Sequence, residues 1–529
     1  MTNESMHWAD QAARRVIKEK GDKKKYVTAA GITPSGTVHI GNFREMITVD
    51  LVHRALKDLK KEVHFIYSWD DYDVFRKIPK NIPKQDVLEK YLRQPITDTP
   101  DTFGCHKSYA EHNEKEVEDV LPSVGIKPKF IYQSKKYRNC EYADEIKFVL
   151  NNKEKVRPIL NKYREEPLSE NWYPLSIYCE KCNTDETKVT NYDGEYSITY
   201  ECKCNHKDTI DFRKKGIVKL PWRLDWPMRW HYEKVDFEPG GKEHSTEGGS
   251  YSTAKLIVKE LYNMEPPVYQ KYDFIILKGI GGKMSSSAGN VITLKEALEI
   301  YQPEIIRYLF VSTRPDAEFA ISFDLDVLKV YEDFDKCERI YYKKEEVDKK
   351  EHEKQKRIYE LSSVDKPTKN MPLQPSFRHL CNMVQIYEND FDKIKEAYKL
   401  EDKKDIERLR IRAICASNWL KKYADDNFKF KINDKKDIEK MKLTEAEKEI
   451  LAALKQRLSQ KDYDEKELHN EFYNLSKEFK IEPKDFFRLV YRFLINKDRG
   501  PKLASFILTI GKKKIIELLN HQNLTLSGL

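Results

Sequence analysis

The chain has 529 residues, 39% hydrophobic, 12% aromatic and 35% charged, and its 96 Lys and Arg against 88 Asp and Glu leave a net charge of +8. That length predicts about two to four domains, each burying its own core. No run of about 18 apolar residues occurs, which excludes a membrane-spanning helix. The opening "MTNESMHWAD" has no apolar signal core, so a soluble, cytoplasmic protein is expected. The mild positive balance permits a nucleic-acid partner without requiring one.

In chain order, "YVTAAG" (26–31) reads as a short buried strand. The loop "GITPSGTVHIGNF" (31–43) follows and leads into a helix through residue 60. Val38, Phe43, Met46, Ile47, Val49, Leu51, Val52 and Leu56 give that helix a broad apolar face. "VHFIYSW" (63–69) is a second strand ending in "DDYD". Strand, helix and strand make a βαβ unit, hence a parallel sheet with a ligand crevice at its carboxyl edge. "DFIILKG" (273–279) is a further strand running into a glycine-rich loop. From residue 328 the pattern is helical and densely charged, and "VDKPTKNMPLQPSF" marks a boundary with three prolines. Beyond it come successive helices, the last two broken at Gly511. The expected architecture is α/β: a Rossmann-type parallel-sheet catalytic domain over 1–327 with a zinc-binding insertion at about 98–215. A connecting helical segment (328–375) and an all-α C-terminal domain (376–529) follow.

Two loops carry chemistry. A helix N-terminus binds anions through its free N–H groups. Gly36 and Gly41 permit close backbone approach there, and His39 can donate to a phosphate oxygen as charge builds. "LKGIGGKMSSSAGNVITL" (277–294) joins flexible glycines to Lys283 and three serines. Met284 after the lysine rules out a P-loop, but such a lysine can close over a triphosphate.

Nine cysteines in a reducing compartment favour metal ligation over disulfides. Cys179, Cys182, Cys202, Cys204 and His206 offer five candidates for four tetrahedral positions, the pattern of a structural zinc ribbon around the alternating "YSITYE". A second set, Asp101, Cys105, His106 and His112, is looser.

"HIGN" (39–42) with "KMSSS" (283–287) resembles the paired HIGH and KMSKS signatures of class I aminoacyl-tRNA synthetases. "WDDYDVFRKIP" (69–79), "DWPMRWHYEKVDFEPGGKEHSTEGGSYSTA" (225–254) and "KDRGPKLASFILTIG" (497–511) resemble the archaeal-type class I lysyl-tRNA synthetases, over nearly the whole chain. That resemblance implies ligation of lysine to tRNA(Lys) through lysyl-adenylate, with ATP and its Mg²⁺ and one or two structural zincs. It implies catalytic roles for His39, Asn42, Lys283, Ser285, Ser286 and Ser287, and ATP contacts from Thr37, His39, Gly41, Asn42 and Lys283. It places Gly31, Thr33, Trp222 and His244 around the amino acid and favours a second zinc at Asp101, Cys105, His106 and His112. Two departures stand out. Asn42 replaces the last histidine of HIGH, and Ser286 the second lysine of KMSKS, which leaves Lys283 to act with hydroxyls or with Lys242 or Lys278.

A lysine pocket needs carboxylates, and Asp70 and Asp71 end the second strand where ligands bind. Arg378, Arg408, Arg412, Trp419 and Tyr423 offer phosphate contacts and stacking surfaces for unpaired bases. Rival readings are a class I synthetase specific for Glu, Cys or Arg, or an inactive tRNA-binding paralogue. A monomer is favoured and no membrane contact is expected.

Overall fold

The computed structural model describes residues 7–278 and 291–522. Its centre is a five-stranded, all-parallel sheet. Strand β1 (Lys25–Ile32) leads into helix α1 (Ile40–Asp58) and strand β2 (Glu62–Trp69), with β3 (Lys129–Tyr132) at one edge. Helix α2 (Trp222–Tyr232) precedes β4 (Phe237–Gly241), and α3 (Ser250–Tyr262) precedes the other edge strand, β5 (Val268–Tyr272). The spatial order is β3-β2-β1-β4-β5, the doubly wound Rossmann order with its switch point between β1 and β4. β3 arises inside the 98–215 stretch expected as an insertion.

At the switch point the strands part. β1 pairs with β2 along all eight residues and β4 with β5 along five, but β1 meets β4 only at Thr28 and Phe237. The amino ends are tied by Asp236, which accepts from the Val27 N–H at 2.9 Å and the Lys23 ammonium at 2.6 Å. Among the described residues no further backbone pairing joins the two strands towards their carboxyl ends, and the crevice opens there.

The sequence explains the local elements. α1 starts at His39, whose extended backbone (φ −100°) breaks the preceding loop. It ends where Lys60 takes a left-handed φ of 63°. Between them its buried face runs from Ile40 to Leu56. Residues 98–215 add several short helices and a three-stranded antiparallel sheet of 187–192, 197–202 and 207–211.

Two compact units emerge. The first comprises Met1–Leu298, Pro303–Ser322 and Lys336–Lys369, and the second Glu299–Gln302, Phe323–Asp335 and Asn370–Leu529. In the second unit, Asp402, Asp434, Thr444 and Asp464 cap successive helices through their side chains. Its core runs from Ile438 to Leu519, and Gly511, at φ 94°, separates the last two helices. Among the described residues no helix is long and apolar enough to cross a membrane.

Two sequence expectations for this unit do not survive. Arg412 is fully buried, bonded to both oxygens of Asp335 at 2.9 and 3.0 Å and to the Gln302 side chain at 2.7 Å. Trp419 is equally buried and donates to the Phe323 carbonyl at 3.0 Å. Both are structural, so neither can offer a stacking or phosphate-binding surface. Tyr423 and Arg378 remain exposed.

Candidate active site

α1 presents its N-terminus at the carboxyl edge of the sheet. The Asn42 side-chain oxygen accepts from the His39 N–H at 3.0 Å, which commits that oxygen to the cap and leaves the amide nitrogen as the outward donor. Thr37 accepts from Asn81 at 3.2 Å, and Gly41 lies in the first turn of α1. The chain on either side of residues 279–290 returns to this helix. Ile40 N–H donates to Ile292 O at 2.8 Å, and His39 bridges Thr293. Arg44, buried, donates to Phe274 O, Arg314 O and Ala317 O. Lys283, Ser285, Ser286 and Ser287 lie outside the described residues, but the flanks of their loop pack on the helix that carries His39.

Behind this edge a cavity of about 70 Å³ opens on the α2 side of the sheet. It is lined by Gly31, Asp70, Trp222 and His244, all named from the sequence, and by Glu45, Ser68, Trp226, Arg229, Trp230, Glu238 and Gly240, which were not. Gly31 is required by close approach: a Cβ there would lie 2.8 Å from Ser68 O. Trp222, Trp226 and Trp230 recur every four residues on α2 and form one wall, the first two stacked at 5.0 Å and 16°. That spacing was visible in the sequence and marks a helix face rather than a single indole. His244 meets Trp226 edge-on at 5.8 Å, and burial lowers its pKa, which favours the neutral ring.

The carboxylates divide by partner. Asp70 accepts from Arg229 at 2.6 Å, and Arg229 also lies 3.2 Å from Asp225. Asp71 turns away from the cavity and is bonded to the Ser134 N–H at 2.7 Å and to the Ser134 hydroxyl. Burial pushes Asp71 up to about 6. Thr33 also stays off the lining, donating to Asp73 at 2.9 Å, and Asp73 is paired with the buried Lys219 at 2.5 Å. Glu45 differs from all of these. It projects from α1 into the gap between β1 and β4 and accepts from the Gly31 N–H at 3.0 Å and the Tyr272 hydroxyl at 2.8 Å, both neutral donors. Burial without a cation pushes it up to about 8. Its only sequence signal is a glutamate within the apolar face of α1.

Two clusters could hold metals. The sulfurs of Cys179, Cys182, Cys202 and Cys204 lie within 4.8 Å of one another, with contacts of 3.6 and 3.7 Å. A tetrahedron with metal–sulfur bonds of about 2.3 Å needs sulfurs about 3.8 Å apart, so the four fit one ion. His206, the fifth candidate, stays out of that group and sits edge-on to Tyr200. Asp101, Cys105, His106 and His112 also converge within 4.8 Å, held by Asp101 accepting from the Cys105 and His106 N–H groups at 2.8 Å each.

Comparison with known proteins follows the same outline. Residues 6–365 match the family model "tRNA synthetases class I (K)", and 381–522 match "Anticodon binding domain". A lysine–tRNA ligase of Borrelia garinii subsp. bavariensis is 53% identical over 96% of this chain and 97% of its own. Those of Treponema pallidum and Pyrococcus horikoshii are 47% and 40% identical, covering 98% and 97% of this chain and 98% and 99% of theirs. On the sheet order, the signature helix and these full-length matches, the chain belongs to the class I (K) tRNA synthetases, a family of aminoacyl-tRNA synthetases.

Proposed function

We propose that the chain activates L-lysine with ATP and transfers the lysyl group to tRNA(Lys). The observation that carries this reading is Glu45, a carboxylate at the switch-point crevice whose bonded partners are neutral and whose burial calls for an incoming cation. The rivals fit this charge less well: a glutamate pocket would need excess cations, and a cysteine pocket a metal facing the substrate. Lysine brings its own ammonium and lays an aliphatic stem along the indoles of α2.

In the first step a lysine carboxylate oxygen attacks the α-phosphorus, the bond to the β-phosphate oxygen breaks, and pyrophosphate leaves. The Thr37–Asn42 segment receives the triphosphate at the N-terminus of α1, where N–H groups and the His39 ring face the developing charge. Lys283 and the serines Ser285–Ser287 take the other side of the phosphates, and Mg²⁺ enters with ATP. In the second step a ribose hydroxyl of the tRNA attacks the adenylate carbonyl and AMP leaves. Gly31, Asp70, Trp222 and His244 shape the amino-acid site, Thr33 acts on it through Asp73, and Asp71 acts through Ser134 on the strand end. Zinc held by Cys179, Cys182, Cys202 and Cys204, and a second by Asp101, Cys105, His106 and His112, would fix the loops they join; neither touches the chemistry. Residues 376–529 read the anticodon, and the enzyme works as a cytoplasmic monomer.

The test is ATP–pyrophosphate exchange with each amino acid, with and without tRNA. Lysine alone should support exchange, and His39→Ala should slow it about 10²–10³-fold with little change in lysine KM. Exchange with glutamate or cysteine instead would refute the reading.

A further inference from the structure

Helix α1 buries a permanent charge one turn beyond its start. Arg44 is 3% exposed, and its guanidinium donates to three main-chain carbonyls: Phe274 O at 3.3 Å, Arg314 O at 2.9 Å and Ala317 O at 2.8 Å. It also lies over the Phe319 ring, 5.0 Å from the centroid. Among the described residues no carboxylate bonds it, and Asp273, whose charge it feels, is paired with Lys242 at 2.7 Å. Burying a guanidinium against neutral acceptors is costly, and burial pulls its pKa down to about 10. A packed apolar side chain would hold the helix at lower cost, so the arginine calls for a reason in geometry.

The three acceptors supply that reason. Strand β6 (Ile275–Leu277) follows Phe274 directly and pairs in parallel with β7 (Phe319–Ile321), whose first residue follows Ala317 by two. Arg44 therefore grips the amino ends of both strands. The chain that leaves β6 leads to Lys283. Where that chain comes back it is held one turn earlier on α1: Ile40 N–H donates to Ile292 O at 2.8 Å, and His39 bridges Thr293. Ile40 and Arg44 are four apart, so one face of α1 holds both flanks. A carbonyl is a fixed point of the main chain, and a guanidinium is a planar fork whose donors keep set directions. These bonds, spanning 230 to 273 residues of sequence, set where β6 stands relative to His39.

We propose that Arg44 is a positioning residue for the activation step: it fixes the β6–β7 pair against the helix that carries His39, and with it the base from which Lys283 acts on the phosphates. The proposal rests on the roles given above to His39 and Lys283. Enclosed by main chain, Arg44 acts through these strands rather than on the substrate.

A double-mutant cycle in ATP–pyrophosphate exchange by the full chain, with tRNA present, tests it. Arg44→Lys keeps the charge but not the fork. It should lower kcat about 10²-fold, the scale of a misplacement of about 1 Å, while calorimetric lysine affinity stays within about twofold. In a Lys283→Ala background the same substitution should cost less than about threefold, because the placement of an absent ammonium no longer matters. An equal loss in both backgrounds marks Arg44 as structural only and overturns the proposal, as does a kcat within about twofold of wild type or a parallel fall in lysine affinity. Should Arg44→Lys fail to fold, Phe319→Leu removes the ring beneath the guanidinium and must lower kcat about 3–10-fold when Lys283 is present and not when it is absent; additive losses there are equally fatal. Failure of the parent reading looks different: His39→Ala or Lys283→Ala alone would leave exchange unchanged.

Discussion

Two groups of acids stand within one cavity region and behave as opposites. The group at the end of β2 is saturated from within: Asp70 by Arg229, Asp71 by Ser134, Asp73 by Lys219 and Thr33. Among the described residues the group at the switch point, Glu45 and Glu238, accepts from neutral donors: a backbone N–H, a tyrosine hydroxyl and an indole. The first resembles a structural ion-pair lattice; the second is a pair of buried carboxyls, raised by burial, that no cation bonds among the described residues. A carboxylate near a ligand crevice is therefore not evidence of a cationic ligand until its existing partners have been counted.

The contrast can be broken from either side. The largest effect should come from the saturated group. Asp70→Asn leaves the buried Arg229 short of a counterion and should cost about 3 kcal/mol of stability, read by urea denaturation; a loss of lysine affinity at unchanged stability would reverse the assignment. Glu45→Gln should do the opposite, keeping the fold and weakening lysine by about 1.5–3 kcal/mol in calorimetry. A denaturation midpoint lowered as far as that of Asp70→Asn would erase the distinction.

The remaining effect is a pH slope. Glu45 keeps its proton up to about 8 in the folded chain, against an ordinary 4.5 when unfolded. Between those values the folded state binds more protons, so its stability falls as pH rises. Tm should decline from about pH 5 to pH 8, and Glu45→Gln or saturating lysine should make the decline shallower. A slope indifferent to both would place the titration elsewhere.

Much of the fold was legible because its signals are local. β1, α1 and β2 fall within a few residues of the expected 26–31, 38–60 and 63–69, since apolar periodicity and a loop of Gly and Pro fix strand and helix ends. The pairing of Cys179–Cys182 with Cys202–Cys204 followed from spacing, although only the folded ribbon separated Cys204 from His206. The burial of Arg412 and Trp419 was not legible: an arginine and a tryptophan on a charged helix look the same whether they face RNA or a neighbouring helix.

By itself, then, the sequence determined the parallel α/β core, the helix start at His39, the cysteine ribbon and the reaction class, all carried by short-range pattern and motif. Only the tertiary structure decided which acids are uncompensated. Asp70 and Glu45 are equivalent letters in a chain, and their difference arises from Arg229, 159 residues beyond Asp70, closing on one of them. Charge balance in a buried site is a sum over distant neighbours, and strand order, not sequence order, sets which neighbours enter that sum.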